Sequence, residues 1–123
     1  MTKKTLNIIA PVFNEEGNIT NFFEKVKNAL KKIDEKYDIK IIFVNDGSID
    51  NSLKTLESIK VKFDNIEIIN FTKNFGHQSA ILAGLKEYKS DLYLVLDTDL
   101  QHDPNLIEVM IDNLEKSNSE IVQ

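Results

Sequence analysis

The stretch IKIIFVNDGSIDNS, residues 39–52, decides how this chain is to be read. It runs from an apolar, β-branched segment (39–45) through Asp-Gly-Ser, a turn sequence, to Asp50, a good N-cap candidate. The helix pattern that follows carries Leu53, Leu56 and Ile59 on one stripe. The apolar segment does not alternate with polar residues, which marks a strand covered on both faces. A buried strand, a polar turn and an amphipathic helix in succession are the repeating unit of an α/β sheet.

The unit recurs. LNIIAPVF (6–13), IEIINF (66–71) and LYLVLD (92–97) are further strand-like runs. The first is followed by Ile19, Phe22, Phe23, Val26, Leu30 and Ile33 at three- and four-residue steps. After the third comes HQSAILAGLKEY (77–88), with Ile81, Leu82, Leu85 and Tyr88 as its apolar stripe and Ala80, Ala83 and Gly84 suited to close packing. Asp103-Pro104, a capping residue before a proline, predicts a fourth helix with Leu106, Ile107, Met110, Ile111 and Leu114 inward. The closing SEIVQ reads as the opening of another strand. The expected fold is α/β: a doubly wound, mainly parallel sheet with helices on both faces and right-handed connections. Such sheets bind ligands at the carboxyl ends of their strands, where strand order reverses.

Composition narrows the function. A chain of 123 residues, 41% hydrophobic and 28% charged, suits one domain with a real core. It contains no cysteine, which excludes disulfide scaffolds and thiolate metal sites. No apolar run approaches the roughly 20 residues of a membrane span, and MTKKTLNIIAPVF is unlike a signal peptide, so a cytoplasmic location is expected. The net charge is −5, and all 15 basic side chains are lysines. Without a basic stripe, nucleic acid is excluded as a partner. Without arginine, the usual clamp on phosphate is missing, and a phosphorylated ligand must be met by lysine, backbone amides or a metal.

The segments that leave the strands are PVFNEE, NDGSIDNS, TKNFGHQS and DTDLQHDP, which gather polar and acidic residues at one edge. In an extended DTDLQHDP, Asp97, Asp99 and Gln101 share a face at about 6–7 Å spacing, a pitch that lets them converge on one cation. Magnesium and manganese take oxygen ligands of this kind, and two carboxylates closing a buried strand repel without a counter-ion. Asp103 reads as a helix cap, and His102 as a loop residue or a partner to a ligand. Asp46 is either a turn residue or an outward acceptor for a nucleobase or ribose. Phe13 is core or a stacking face; Glu15 bonds a base or sugar edge or, with Glu16, favours a helix N-terminus. Lys73 and Gly76 precede a helix start, an anion-site arrangement, with His77 either facing a phosphate or at a solvated cap position. Neither a P-loop nor a dinucleotide glycine fingerprint is present, and two histidines do not make a zinc site.

Taken together, PVFNEEGNI (11–19), FVNDGSIDNS (43–52), NFGHQSAILAGL (74–85) and DTDLQHDP (97–104) resemble, in order and spacing, the family 2 glycosyltransferases of the A-type fold. The likeness is greatest to the dolichyl-phosphate mannosyltransferase and bacterial polyprenyl-phosphate glycosyltransferase branch. The resemblance implies that Pro11, Phe13, Glu15 and Asp46 line a nucleotide pocket. It makes Asp97-Thr98-Asp99 the family's Asp-x-Asp, with Asp97 on the donor sugar and Asp99 and Gln101 holding Mg2+ or Mn2+ on its diphosphate. Phe13 stands where the family often has tyrosine, which removes a hydroxyl and keeps a stacking face.

The function so implied is sugar transfer from a UDP- or GDP-linked donor to a polyprenyl (lipid) phosphate at the cytoplasmic face of a membrane. Residues 1–123 would be the nucleotide-sugar-binding N-terminal part of a longer domain, with acceptor-binding elements, the catalytic base and any membrane helices downstream. Within the chain, Asp97 and Asp103 are the base candidates. Apolar surface left uncovered would favour homo-oligomers. Two alternatives are a family 2 enzyme acting on a polysaccharide or other glycan, and a non-catalytic nucleotide-sugar-binding module. A phosphate-receiver domain does not fit, because it needs an acidic pair after strand one and an aspartate closing strand three, where this chain has PVFNEE and NFTKNF.

Overall fold

The computed structural model describes residues 3–99, 106–117 and 121–122. Its central strand, β1 (Lys4–Val12), is buried without interruption from Leu6 to Val12, as the unalternated sequence requires of a strand covered on both faces. The elements then follow as α1 (Ile19–Leu30), β2 (Tyr37–Asn45), α2 (Ser52–Lys62), β3 (Ile66–Asn70), α3 (His77–Glu87), β4 (Leu92–Val95), α4 (Leu106–Ser117) and β5 (Ile121–Val122). The strands pair in the order β3-β2-β1-β4-β5, all in parallel. This is the doubly wound sheet expected from the sequence, and strand order reverses between β1 and β4.

The alternating side chains of β1 separate two cores. Leu6, Ile8, Ala10 and Val12 face α1 and α2, where they meet Phe22, Phe23, Val26 and Leu56. Ile9 points the other way with Ile42, Val44 and Val95, against Ala80 and Ile81 of α3. Each such aliphatic side chain, fully buried, contributes about 1.5–3 kcal/mol. The chain moves outward through β2 and β3 and then doubles back to β4, so crossovers of one hand carry α3 to the opposite face from α1 and α2. By contrast, α4 returns to the α1 face, with Met110 buried there and Glu108 paired to Lys32 at 2.6 Å. Among the described residues no helix is long and apolar enough to cross a membrane.

Two details depart from the helical stripes read in the sequence. Ile33 lies beyond the end of α1, where it packs against the core from a turn. Leu82 is 52% exposed, not inward. The cause is Gly84: a Cβ there would stand 2.8 Å from Cγ2 of Ile9, so α3 rests on β1 through this glycine. A helix turns about 100° per residue, and centring the contact face on Ala80, Ile81 and Gly84 rotates Leu82 to solvent. Asp103-Pro104, the expected start of α4, lies outside the described residues.

The far end of α3 is tied down by a polar cluster. Tyr88 donates its hydroxyl to Glu67 Oε2 of β3 at 2.8 Å, and Lys60 of α2 reaches Oε1 at 3.5 Å. The hydrogen bond from Tyr88, with the nearby Lys60 and Lys40 charges, holds the Glu67 carboxyl below its ordinary 4.5 despite some burial. The same bond raises the Tyr88 hydroxyl above its ordinary 10.0.

Gly84→Ala gains up to about 1 kcal/mol of helix propensity but forces a methyl onto the buried branch of Ile9, which costs roughly 1–3 kcal/mol. The steric effect wins, and urea unfolding should show a net loss of about 1 kcal/mol. Tyr88→Phe should cost about 1 kcal/mol near neutrality. Because the folded Glu67 value is depressed, its share of that stability is present above the ordinary carboxylate value and is lost as pH falls through the lowered one. Because the folded Tyr88 value is raised, its share is present below the ordinary phenol value and is lost as pH rises through the raised one. The gap between wild type and Tyr88→Phe should therefore narrow at both extremes in a pH series of melts.

Candidate functional site

Three loops meet at the carboxyl ends of β1, β2 and β3. The first leaves β1 at Val12 and turns sharply at Asn14, whose φ of 52° is in the left-handed region that asparagine tolerates. Asn14 then laces this loop to the next: its amide donates to Ser48 Oγ and its Oδ1 accepts from the Ile49 amide, both at 2.9 Å. The Glu15 amide donates to Ser52 Oγ at 3.0 Å, and the Glu16 amide to Asp50 Oδ2 at 3.2 Å. Asp50 does not occupy the cap position of α2; Asn51 does, without a side-chain bond. Asp50 works from one residue upstream, accepting the Ser52 amide on Oδ1 at 2.9 Å. What burial it has raises its carboxyl, but hydrogen bonds from Ser52 and the Glu16 amide outweigh this and hold it below the ordinary value. Glu15 and Glu16 precede α1, whose first turn carries no acidic residue, and Glu15 Oε2 accepts from Nδ2 of the cap residue Asn18 at 2.6 Å.

At the end of β2 stands Asp46, 3% exposed. A buried carboxylate needs donors, and this one has three. The Phe75 amide donates to Oδ1 at 2.7 Å, the Gly76 amide to Oδ2 at 3.1 Å, and Asn74 Nδ2 to Oδ2 at 3.0 Å. Asn74 Nδ2 also reaches the Asp46 carbonyl at 3.2 Å. Gly47 makes the approach possible: its φ is +71°, and a Cβ on it would lie 2.2 Å from the carbonyl carbon of Lys73.

These loops and the exit of β4 enclose a cleft of about 490 Å³, a volume suited to a small-molecule ligand. The sequence-predicted residues Pro11, Phe13, Glu15, Asp46, Asp97, Thr98 and Asp99 all line it. Phe13 is 47% exposed, so its ring is not core. Thr98 is buried and donates its hydroxyl to the Pro11 carbonyl at 3.3 Å, which ties the β4 exit to the end of β1.

That tie corrects one expectation. The strand β4 ends at Val95, and Thr98 and Asp99 lie in a turn, so the extended two-residue pitch does not continue through Asp97 and Asp99. Both carboxylates are exposed, flanking the buried Thr98, and neither closes a buried strand. Gln101, His102 and Asp103 lie outside the described residues.

The structure adds Asn74, which the sequence left aside, and brings His77 to the same cleft. His77, read as facing a phosphate or at a solvated cap, is the first residue of α3, and its Nε2 stands 3.6 Å from Asp97 Oδ1 across the cleft. Lys73 is not in the lining; its ammonium rests 5.1 Å from the Phe75 ring centre. Among the described lining residues there are four carboxylates and no lysine. No group of three or more His, Asp or Glu side chains among the described residues is arranged to hold a metal by itself.

A parallel sheet reversing at β1/β4, with an acidic cleft at that reversal, is the doubly wound α/β arrangement that takes ligands at the carboxyl ends of its strands. Residues 7–123 match the family model described as "Glycosyl transferase family 2", and the chain belongs to that family. It is 33% identical over 112 residues to the undecaprenyl-phosphate 4-deoxy-4-formamido-L-arabinose transferase of Proteus mirabilis, a match covering 90% of this chain and 34% of that protein. It is 32% identical over 116 residues to the dolichol-phosphate mannosyltransferase of Pyrococcus furiosus, covering 94% of this chain and 31% of the relative. The chain thus spans about a third of the length of the curated relatives it matches.

Solved structures share the fold. The mannosyltransferase PcManGT from Pyrobaculum calidifontis, in complex with GDP-Man and Mn2+, superposes with a TM-score of 0.75 at 14% identity, over 93% of this chain and 33% of that one. TarS 1–349 of S. aureus, in complex with UDP-GlcNAc, gives 0.70 at 20% identity, over 94% and 32%.

Gly47→Ala combines a strained left-handed φ with a backbone clash that no side-chain rotation relieves. It should cost about 3 kcal/mol or more in urea unfolding, well beyond Gly84→Ala.

Proposed function

We propose that this chain is the nucleotide-sugar-binding, N-terminal part of a glycosyltransferase that moves a sugar from a nucleotide-diphosphate donor to a lipid phosphate. The observation that carries the reading is the cleft at the strand reversal, rimmed by four carboxylates and no lysine among its described residues. A dianionic diphosphate entering such a site needs a cation, and Mg2+ or Mn2+ reverses the local field.

The residues present suit such an ion. Magnesium and manganese are commonly held by one or two carboxylates, the remaining positions going to water and substrate phosphate, so no all-protein cage is required. Asp99 supplies an exposed hard-oxygen donor on the cleft, and Gln101 is assigned beside it from the sequence. When bound, the metal stabilises charge on the departing nucleoside diphosphate. The half-exposed Phe13 ring offers a stacking face to the base, and Glu15 an acceptor to base or ribose. Asp46 has one acceptor position left on Oδ1, since a carboxylate offers about four. Asp97, facing His77, is assigned to the donor sugar.

The lipid-phosphate acceptor is supported by the two relatives named for undecaprenyl-phosphate and dolichol-phosphate substrates. Such an acceptor is already ionised and needs no strong base to attack the anomeric carbon. Its insolubility implies work at a membrane surface, and a nucleotide donor implies the cytoplasmic face. Both GDP- and UDP-sugars occur in structural neighbours, so both nucleotides belong in the test.

Isothermal titration of GDP and UDP should show at least about tenfold tighter binding with Mn2+ than in excess chelator, a gain of about 1.4 kcal/mol. Asp99→Ala should remove that difference and leave the metal-free affinity unchanged. Equal affinities in manganese and chelator for the wild type would overturn the reading.

A further inference from the structure

We infer that Asp46 is a positioning residue for the cleft: its buried carboxylate holds residues 74–76 so that His77 stands against Asp97 across the strand reversal. The donor reading is needed only for the binding arm of the test below.

All three donors to the Asp46 carboxylate come from one short segment, and two of them are the consecutive amides of Phe75 and Gly76. The next residue in the chain is His77, the first of α3. Gly76 has φ 105°, a conformation that side chains rarely adopt, and leaves open space where a Cβ would be. Its backbone is therefore held by hydrogen bonds, not by packing. The orientation of Asn74 is also fixed. Asp46 Oδ2 and the Asp46 carbonyl can only accept, so the side-chain atom facing both must be Nδ2.

Release of this clasp acts directly on the cleft. The His77 to Asp97 approach, at 3.6 Å, joins two half-exposed side chains on segments that are not neighbours in sequence. Packing alone does not maintain such a distance, because neither side chain is buried. Packing of Ala80 and Gly84 on the sheet holds the body of α3, and Asp46, at the end of β2 and covered by the segment it holds, fixes the turn that leads into His77. Asp46 thereby transmits the order of β2 to the opposite wall of the site.

NMR on the intact chain tests the clasp without any ligand. In Asp46→Asn, which keeps the shape, removes the charge and turns one accepting oxygen into an NH2 donor, the Phe75 or Gly76 amide that loses its oxygen should exchange with solvent at least about tenfold faster, while Ile8 and Ile42 in the core stay protected. The His77 imidazole resonances should move from their wild-type positions toward those of Asp97→Asn. Faster exchange at 75 or 76 with His77 unmoved would overturn the proposal. Should Asp46→Asn not fold, Asn74→Ala removes one donor at an exposed residue and should give the same pattern on a smaller scale.

The binding arm compares Asp46→Asn, His77→Ala and their double variant in GDP titrations with Mn2+. If Asp46 acts through His77, the double variant binds no more weakly than Asp46→Asn alone; fully additive losses would refute that route. If wild type binds neither GDP nor UDP, the donor reading fails, and the spectra still decide the clasp.

Discussion

A carboxylate taken out of water must be given hydrogen-bond donors, and Asp46 is the place in this molecule where that requirement is strictest. Its donors come from residues up to 30 positions later, at the start of the helix that crosses to the other face of the sheet. The same contact thus serves two ends. It satisfies a buried charge, and it pins the β3–α3 junction against the end of β2. Gly47 is the structural counterpart of that contact, since any side chain there would push the Lys73–Asn74 backbone away. The lacing of Asn14, Ser48, Glu15 and Ser52 brings the β1 exit to the same edge. Three loops are thereby held as one surface.

Charge then determines what this surface can accept. The chain has 15 lysines, yet several of them are occupied elsewhere. Lys60 pairs with Glu67, Lys32 with Glu108, and Lys27 lies over the Phe23 and Phe63 rings. The described lining keeps its carboxylates without lysine, so an anionic ligand and a divalent cation are complementary there only as a pair. Membership of glycosyl transferase family 2 agrees with this requirement. The chain spans about a third of the length of the curated relatives it matches.

Much of this was legible in the residues. Four unalternated apolar runs separated by amphipathic helices specify a parallel sheet, because only a strand covered on both faces is apolar throughout. Polar residues following each strand mark the edge where ligands bind, and Pro11, Phe13, Glu15, Asp46, Asp97, Thr98 and Asp99 do share one cleft. Local periodicity sufficed for these, since each strand or helix reports its own buried face. Even periodicity fails at Leu82 because of a helix-to-sheet distance that sequence does not display: Gly84 sits on Ile9 of β1, and the helix rotates to suit.

The sequence by itself therefore determined the kind of sheet, the edge that carries the cleft and the acidic character of that cleft. These follow from hydrophobic pattern and composition, which are properties of neighbouring residues. Only the tertiary structure decided what the individual side chains do. It placed β4 beside β1, tied Thr98 to Pro11, turned the chain at Asp99, clasped Asp46 to residues 74–76 and set His77 opposite Asp97. All of these except the turn at Asp99 join residues far apart in the chain, so they depend on the strand order. A hydrogen bond forms only where two distant segments are brought within about 3 Å, and no local pattern records that distance.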